Sequence, residues 1–127
     1  MKKIVVEGTF PSLNQFIDAN RQGRGNWNKG NTMKQRDQAE IIKAVVPQLR
    51  TALRTPVFIE YTFYEKNRRR DLDNVSGYFH KVFQDALVEC GRLSNDGWSG
   101  ICGFSDRFFV DAKRPRVEIT IKEKVNE

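Results

Sequence analysis

The chain has 127 residues, a formal net charge of +6, and 39% hydrophobic content with 11% aromatic residues. That size and composition fit one folded domain spanning 1–127 and argue against disorder. The basic balance favours an acidic partner, nucleic acid being the commonest, beside the plainer reading of a solvated basic surface. Two cysteines, Cys90 and Cys102, are too few for a disulfide framework and lack zinc-ligand spacing. Cys90 is expected as a buried thiol on an apolar helical stripe. No apolar run reaches membrane-spanning length, and the opening Met1–Glu7 segment turns polar too soon for a signal peptide. The expectation is a soluble cytoplasmic protein with no membrane partner.

In chain order, Lys3 to Gly8 reads as a strand, with β-branched Ile4, Val5 and Val6. Leu13 to Phe16 reads as a short turn or helical piece. Asn20 to Asn31 is aperiodic and rich in glycine and cations (Arg21, Arg24 and Lys29), with Trp27 among them. It reads equally as a basic loop that wraps nucleic acid and stacks a base, and as a surface loop anchored by its tryptophan. Asn31 or Thr32 can cap a helix running toward Leu53, with Ala39, Ile42, Val46, Leu49 and Leu53 at helical spacing. Pro47 predicts a kink or break into two helical pieces.

Val57 to Glu65 is the clearest strand, dominated by β-branched and aromatic residues. A helix follows from about Leu72 to Cys90. Its buried stripe is Val75, Phe79, Val82, Phe83, Ala86 and Cys90; a polar strip runs along Asp71, Asn74, Tyr78, Lys81 and Asp85. Gly91 fits a left-handed cap. His80 falls away from the polar strip and reads as a surface histidine. Trp98, in the Arg92–Gly103 loop, reads as a packing residue ahead of a base-stacking wedge. Phe108 to Asp111 makes a possible short strand and Pro115 to Lys124 a final one. The predicted class is α/β or α+β: a mixed sheet with two main helices packed on it.

Between the Val57–Glu65 strand and the next helix lies Arg68-Arg69-Arg70-Asp71-Leu72-Asp73-Asn74. Two acids spaced one residue apart behind a cationic run suggest a Mg²⁺ ion held against a phosphodiester, since Mg²⁺ takes carboxylate and phosphate oxygens. Asp96 joins them if its loop folds back along the helix. Lys81 can stabilise developing charge, and Arg68, Arg69 and Arg70 can grip flanking phosphates. The competing reading of Asp71 and Asp73 is ordinary helix capping, and that of Lys81 with Asp85 an exposed pair of little energetic weight.

The ordered set Arg69-Arg70-Asp71-Leu72-Asp73-Asn74, then Lys81-Val82-Phe83-Gln84-Asp85-Ala86-Leu87, then Gly91 and Asn95-Asp96, resembles the RusA family of Holliday junction resolvases of bacteria and their prophages. Phe10-Pro11-Ser12-Leu13-Asn14 is similar to that family's P-x-x-N motif. The resemblance implies a RusA-like fold and a homodimeric endonuclease, dependent on Mg²⁺ (or Mn²⁺ in its place). It implies paired symmetric nicks in four-way DNA junctions during recombination and repair. It also implies metal ligation by Asp71, Asp73 and Asp96, with Lys81 as the catalytic lysine. Two rival readings stand beside it: a non-catalytic junction-binding dimer of the same fold, and a nuclease for other branched DNA. The chain departs from the family pattern in about one extra helical turn between Asn74 and Lys81, and in Asn95, where an aspartate is common.

Overall fold

The computed structural model describes residues 1–22 and 29–123. Arg24 and Trp27 lie outside the described residues. Seven elements follow one another: β1 (Lys2–Glu7), α1 (Leu13–Asn20), α2 (Lys29–Gln48), β2 (Val57–Glu65), α3 (Leu72–Glu89), β3 (Ile101–Val110) and β4 (Arg116–Glu123). The strands form one mixed sheet in the order β1-β4-β2-β3, with β1–β4 and β4–β2 antiparallel and β2–β3 parallel. This is an α+β domain, with three helices among the described residues where two main ones were expected.

The sheet obeys the period of two. Val57, Ile59, Tyr61 and Phe63 of β2 are buried together with Val117, Ile119 and Ile121 of β4 and Ile4 and Val6 of β1. Alternate residues face the other way and are polar or half-exposed, for example Glu60, paired with Lys122 at 2.7 Å. One face of the sheet thus carries the core, as one-sided strands require. The helix side of that core is aromatic: Phe79 meets Phe10, Tyr61, Phe63 and Phe83 at centroid separations of 5.1–6.1 Å. Fully burying a side chain of this size stabilises by roughly 1.5–3 kcal/mol.

Several expectations need correction. α1 is a full helix of eight residues, started by a capping box: Ser12 Oγ accepts from Gln15 N–H at 3.1 Å, and Gln15 Oε1 accepts from Ser12 N–H at 2.7 Å. α2 is not broken at Pro47, because the proline falls one residue before the helix ends and only the last turn feels its missing N–H. Leu49 and Leu53 are buried from the chain that follows, not from a second helix.

The buried stripe of α2 is Ile41 and Val45, continued by Leu49; Val46 and Ala39 are exposed and Ile42 is half-buried. The doublets Ile41-Ile42 and Val45-Val46 fit two adjacent stripes equally, and the packing of α2 against β1 and α3 selects one. β3 is a ten-residue strand, far longer than Phe108–Asp111 suggested. Its sequence mixes glycine, serine and charge, and pairing along the whole of β2 overrides that weak propensity. Cys90 is half-buried rather than buried. α3 ends as expected, with Gly91 at φ +75°, a conformation that disfavours any side chain.

Candidate functional site

The two motifs nearest the N-terminal end of α3 meet in space. Asn14 N–H, on α1, donates to Asn74 Oδ1 at 3.1 Å. Arg70 donates through Nε and Nη2 to Glu65 Oε1 at 2.9 and 2.7 Å, and through Nη1 to the Phe10 carbonyl at 2.7 Å. Arg70 is therefore a brace between β2, the N-terminal motif and α3, with only about a quarter of its side chain exposed. It is spent on this fork and does not reach out toward phosphate. Arg68 and Arg69 are exposed beside it. Lys29 is exposed at the start of α2, its N–H bonded to the Gln22 carbonyl at 3.1 Å.

Asp71 occupies the N-cap of α3, yet its side chain makes no capping hydrogen bond. Asp73 lies in the first turn, and both aspartates are exposed. The capping reading thus accounts for their position by charge near the helix dipole but not by a bond. Both carboxylates remain open.

Asp96 does not join them within the chain. It lies against Asp85, which stands twelve residues beyond Asp73 on α3, about 18 Å of helical rise away. Among the described residues, no group of three His, Cys, Asp or Glu side chains is close enough to hold a metal ion. Two separate half-sites result, one at each end of α3.

The second half-site is built from α2, α3 and the loop after it. Lys34 Nζ contacts Asp85 Oδ2 at 2.5 Å, and Lys81 Nζ lies 3.7 Å from the same oxygen. Partial burial pushes the Asp85 pKa up, but the hydrogen bond and charge of Lys34, the contact with Asp96 and the charge of Lys81 outweigh it. The net effect holds the Asp85 carboxyl below its usual value. Lys34, Gln38, Asp85, Val88, Glu89 and Asp96 line an open hollow of about 360 Å³ here.

Asn95 shapes the loop that carries Asp96: its Oδ1 accepts from Gly97 N–H at 3.0 Å and from Ser99 Oγ at 3.2 Å. Gly100 closes the same loop so tightly that a Cβ would run into the Asn95 carbonyl. Asn95 is thus a turn-former, and only Asp96 is presented. Trp98 projects at 98% exposure, against the expectation of packing.

Three more side chains are placed by the fold alone. Tyr78, expected on the polar strip, is buried, its ring 5.1 Å from Phe16 and its hydroxyl donating to Asp37 Oδ2 at 2.6 Å. Burial and then Asp37 push its pKa upward. His80 is not a surface residue: Nε2 sits 2.7 Å from Asp106 Oδ1, with the ring against Tyr61 and Phe104 at 4.5 and 4.6 Å. Lys34 carried no sequence signal, since its role depends on which face α2 turns to α3.

Among the described residues, no helix is long and apolar enough to cross a membrane. No protein-family model matches the chain, and no curated protein matches it.

Proposed function

We propose that this chain is a metal-dependent endodeoxyribonuclease that nicks branched DNA, four-way junctions foremost, as a homodimer in recombination and repair. The observation that carries the reading is the open pair Asp71 and Asp73: two exposed carboxylates at a helix N-terminus, neither tied down by a capping bond, beside exposed Arg68 and Arg69. Hard oxygen donors next to cations suit Mg²⁺, or Mn²⁺ in its place, together with a phosphate. When bound, the cation supplies Lewis-acid polarisation of the phosphodiester and a more acidic water.

The chain's own residues do the rest. Arg68 and Arg69 hold flanking phosphates, and Lys29 extends the basic surface. Lys81 neutralises charge on the leaving oxygen. Lys34 keeps Asp85 ionised, and Asp85 in turn positions Lys81 and Asp96. Because the half-sites lie at opposite ends of α3, Asp96 completes the acid set of a second copy when two α3 helices run antiparallel about a two-fold axis.

The test is incubation with a labelled four-way junction and its matching linear duplex, with Mg²⁺ or EDTA. Paired nicks confined to the junction, dependent on metal and abolished by Asp73→Asn with binding retained, are expected. Equal loss of binding and cleavage in Asp73→Asn would remove the ligand assignment. Salt-sensitive binding without any product in the native chain would leave a binding module instead. Mixing Asp73→Asn with Asp96→Asn, each inactive alone, restores one native acid set per heterodimer if the site is shared. No restoration in an otherwise active preparation places each site within one chain.

A further inference from the structure

Among the described residues, Trp98 is the most exposed large apolar side chain, at 98%. A tryptophan left in water forgoes the burial that so large a ring usually gains. The turn beneath it is nonetheless closely built. Asn95 Oδ1 accepts from Gly97 N–H at 3.0 Å and from Ser99 Oγ at 3.2 Å. The Gly97 carbonyl accepts from the N–H groups of Gly100 and Ile101 at 3.0 and 2.9 Å. Gly100 sits so near the Asn95 carbonyl that no side chain fits there. The turn from 95 to 101 is thus stapled from within, and it holds the indole out in solvent instead of folding it onto the core.

The ring borders an open hollow of about 410 Å³ that also takes in Gln84, Asp96, Ile101 and Phe104, a size usual for small-ligand pockets. Ile101 and Phe104, the latter 52% exposed, give it an apolar wall. Gln84 gives an amide, whose Nε2 donates to the Tyr61 hydroxyl at 3.1 Å, and Asp96 gives a carboxylate. Among the described residues, no lysine or arginine lines the hollow. It therefore suits a flat ring with polar edges and not a phosphate.

We infer that Trp98 and this hollow receive an unpaired nucleobase of the DNA, stacked on the indole with its polar edge toward Gln84. The inference rests on the nuclease reading above, which puts Asp96 against DNA. Trp98 stands two residues from Asp96 on the same stapled turn, so a strand that reaches the acid also meets the ring. The net charge of +6 favours a polyanion as the molecule that brings the flat ring. Within an intact duplex both faces of each base are already covered by its neighbours; where strands diverge, a face comes free. Trp98 accordingly adds affinity at branch points and none along linear duplex. It does so with little regard to sequence, because every base has a π-face.

Trp27→Phe leaves Trp98 as the sole tryptophan of the full chain, and its fluorescence reports on the ring directly. With EDTA present to prevent cleavage, a four-way junction and oligothymidylate should quench that emission, and linear duplex should quench it far less. Emission unmoved by junction and single strand overturns the inference. Emission that shifts with protein concentration alone would seat a second copy on the ring and overturns it as well. Trp98→Ala, at an exposed position, should keep the native circular dichroism and bind the junction about five- to a hundredfold more weakly. Its affinity for linear duplex and its salt slope should stay as they were, since stacking releases no counterions. Trp98→Phe should recover most of the loss. Equal loss on junction and duplex, or no loss on either, overturns the inference. Selective quenching without any cleavage would remove the nuclease reading and keep the base site; metal-dependent junction cleavage by Trp98→Ala at native affinity would do the reverse.

Discussion

The two edges of the sheet are finished in opposite ways. β1 is six residues long and carries Lys2, Lys3 and Glu7. Its outward backbone at Val5 is already used: the Gln48 side chain accepts from Val5 N–H and donates to Val5 C=O, both at 2.8 Å. One glutamine at the end of α2 thus imitates a neighbouring strand. β3 is longer, bears exposed phenylalanines and has no such cover among the described residues. At β3 the open edge runs from the Asp71–Asp73 end of α3 to the Asp96 loop.

That contrast can be broken at several points. The largest effect is expected inside the sheet. Phe63, on the strand that bears β3, packs against Phe79 and Phe108 at 5.7 and 5.2 Å; Phe63→Ala should cost about 3–5 kcal/mol in urea denaturation. Val6→Ala, on β1, removes less apolar volume and should cost about 2 kcal/mol. Equal losses would show that the two sides of the core are not packed differently.

Next comes the tether that fixes β3 beneath α3. His80→Ala removes the 2.7 Å link to Asp106 and a ring packed on Tyr61 and Phe104, at about 1–3 kcal/mol. Exchange of β3 amides should rise more than that of β4 amides. Uniform acceleration would make His80 an ordinary core residue.

Gln48→Ala should cost about 1 kcal/mol, because water can replace part of the amide's role at an exposed edge. The sharper readout is self-association: with β1 uncapped, the variant should form higher oligomers through an edge that is closed in the native chain. Unchanged oligomeric state would show that charge alone protects β1.

The smallest effect is electrostatic. Asp85 has a lowered pKa, so its contribution to stability is present above the unfolded aspartate value of about 3.9 and is lost as pH falls through the lower folded value. The melting-temperature difference between the native chain and Asp85→Asn should therefore be largest near neutral pH and shrink below about pH 4. A difference independent of pH would mean that Lys34 and Lys81 do not hold the carboxylate.

Sequence reasoning succeeded where periodicity was unambiguous. Val57–Glu65 alternates cleanly and is β2 to the residue, and the apolar stripe of α3 fits one helical face that includes Val75, Phe79, Val82, Phe83 and Ala86. It failed where two registers were equally apolar, as in the doublets of α2, and where a strand was held by its neighbour rather than by its own residues, as in β3. In the candidate site, the acids and lysine were nameable from their spacing, but Arg70, read as a phosphate grip, turned out to be a brace. Such a distinction depends on Glu65 and Phe10 arriving at the same point, which no local pattern encodes.

The chain by itself determined its basic character, the placement of β1, β2, β4 and α3, and the chemical identity of the candidate acids, because these follow from residue type and short-range spacing. Tertiary structure decided which carboxylates share a neighbourhood. α3 is a rigid rod that holds Asp71 and Asp73 at one end while the turn formed by Gly91, Asn95 and Gly100 returns Asp96 only to the other. A helix transmits distance faithfully at about 1.5 Å per residue, so residues near one another in a motif can stand far apart in the fold.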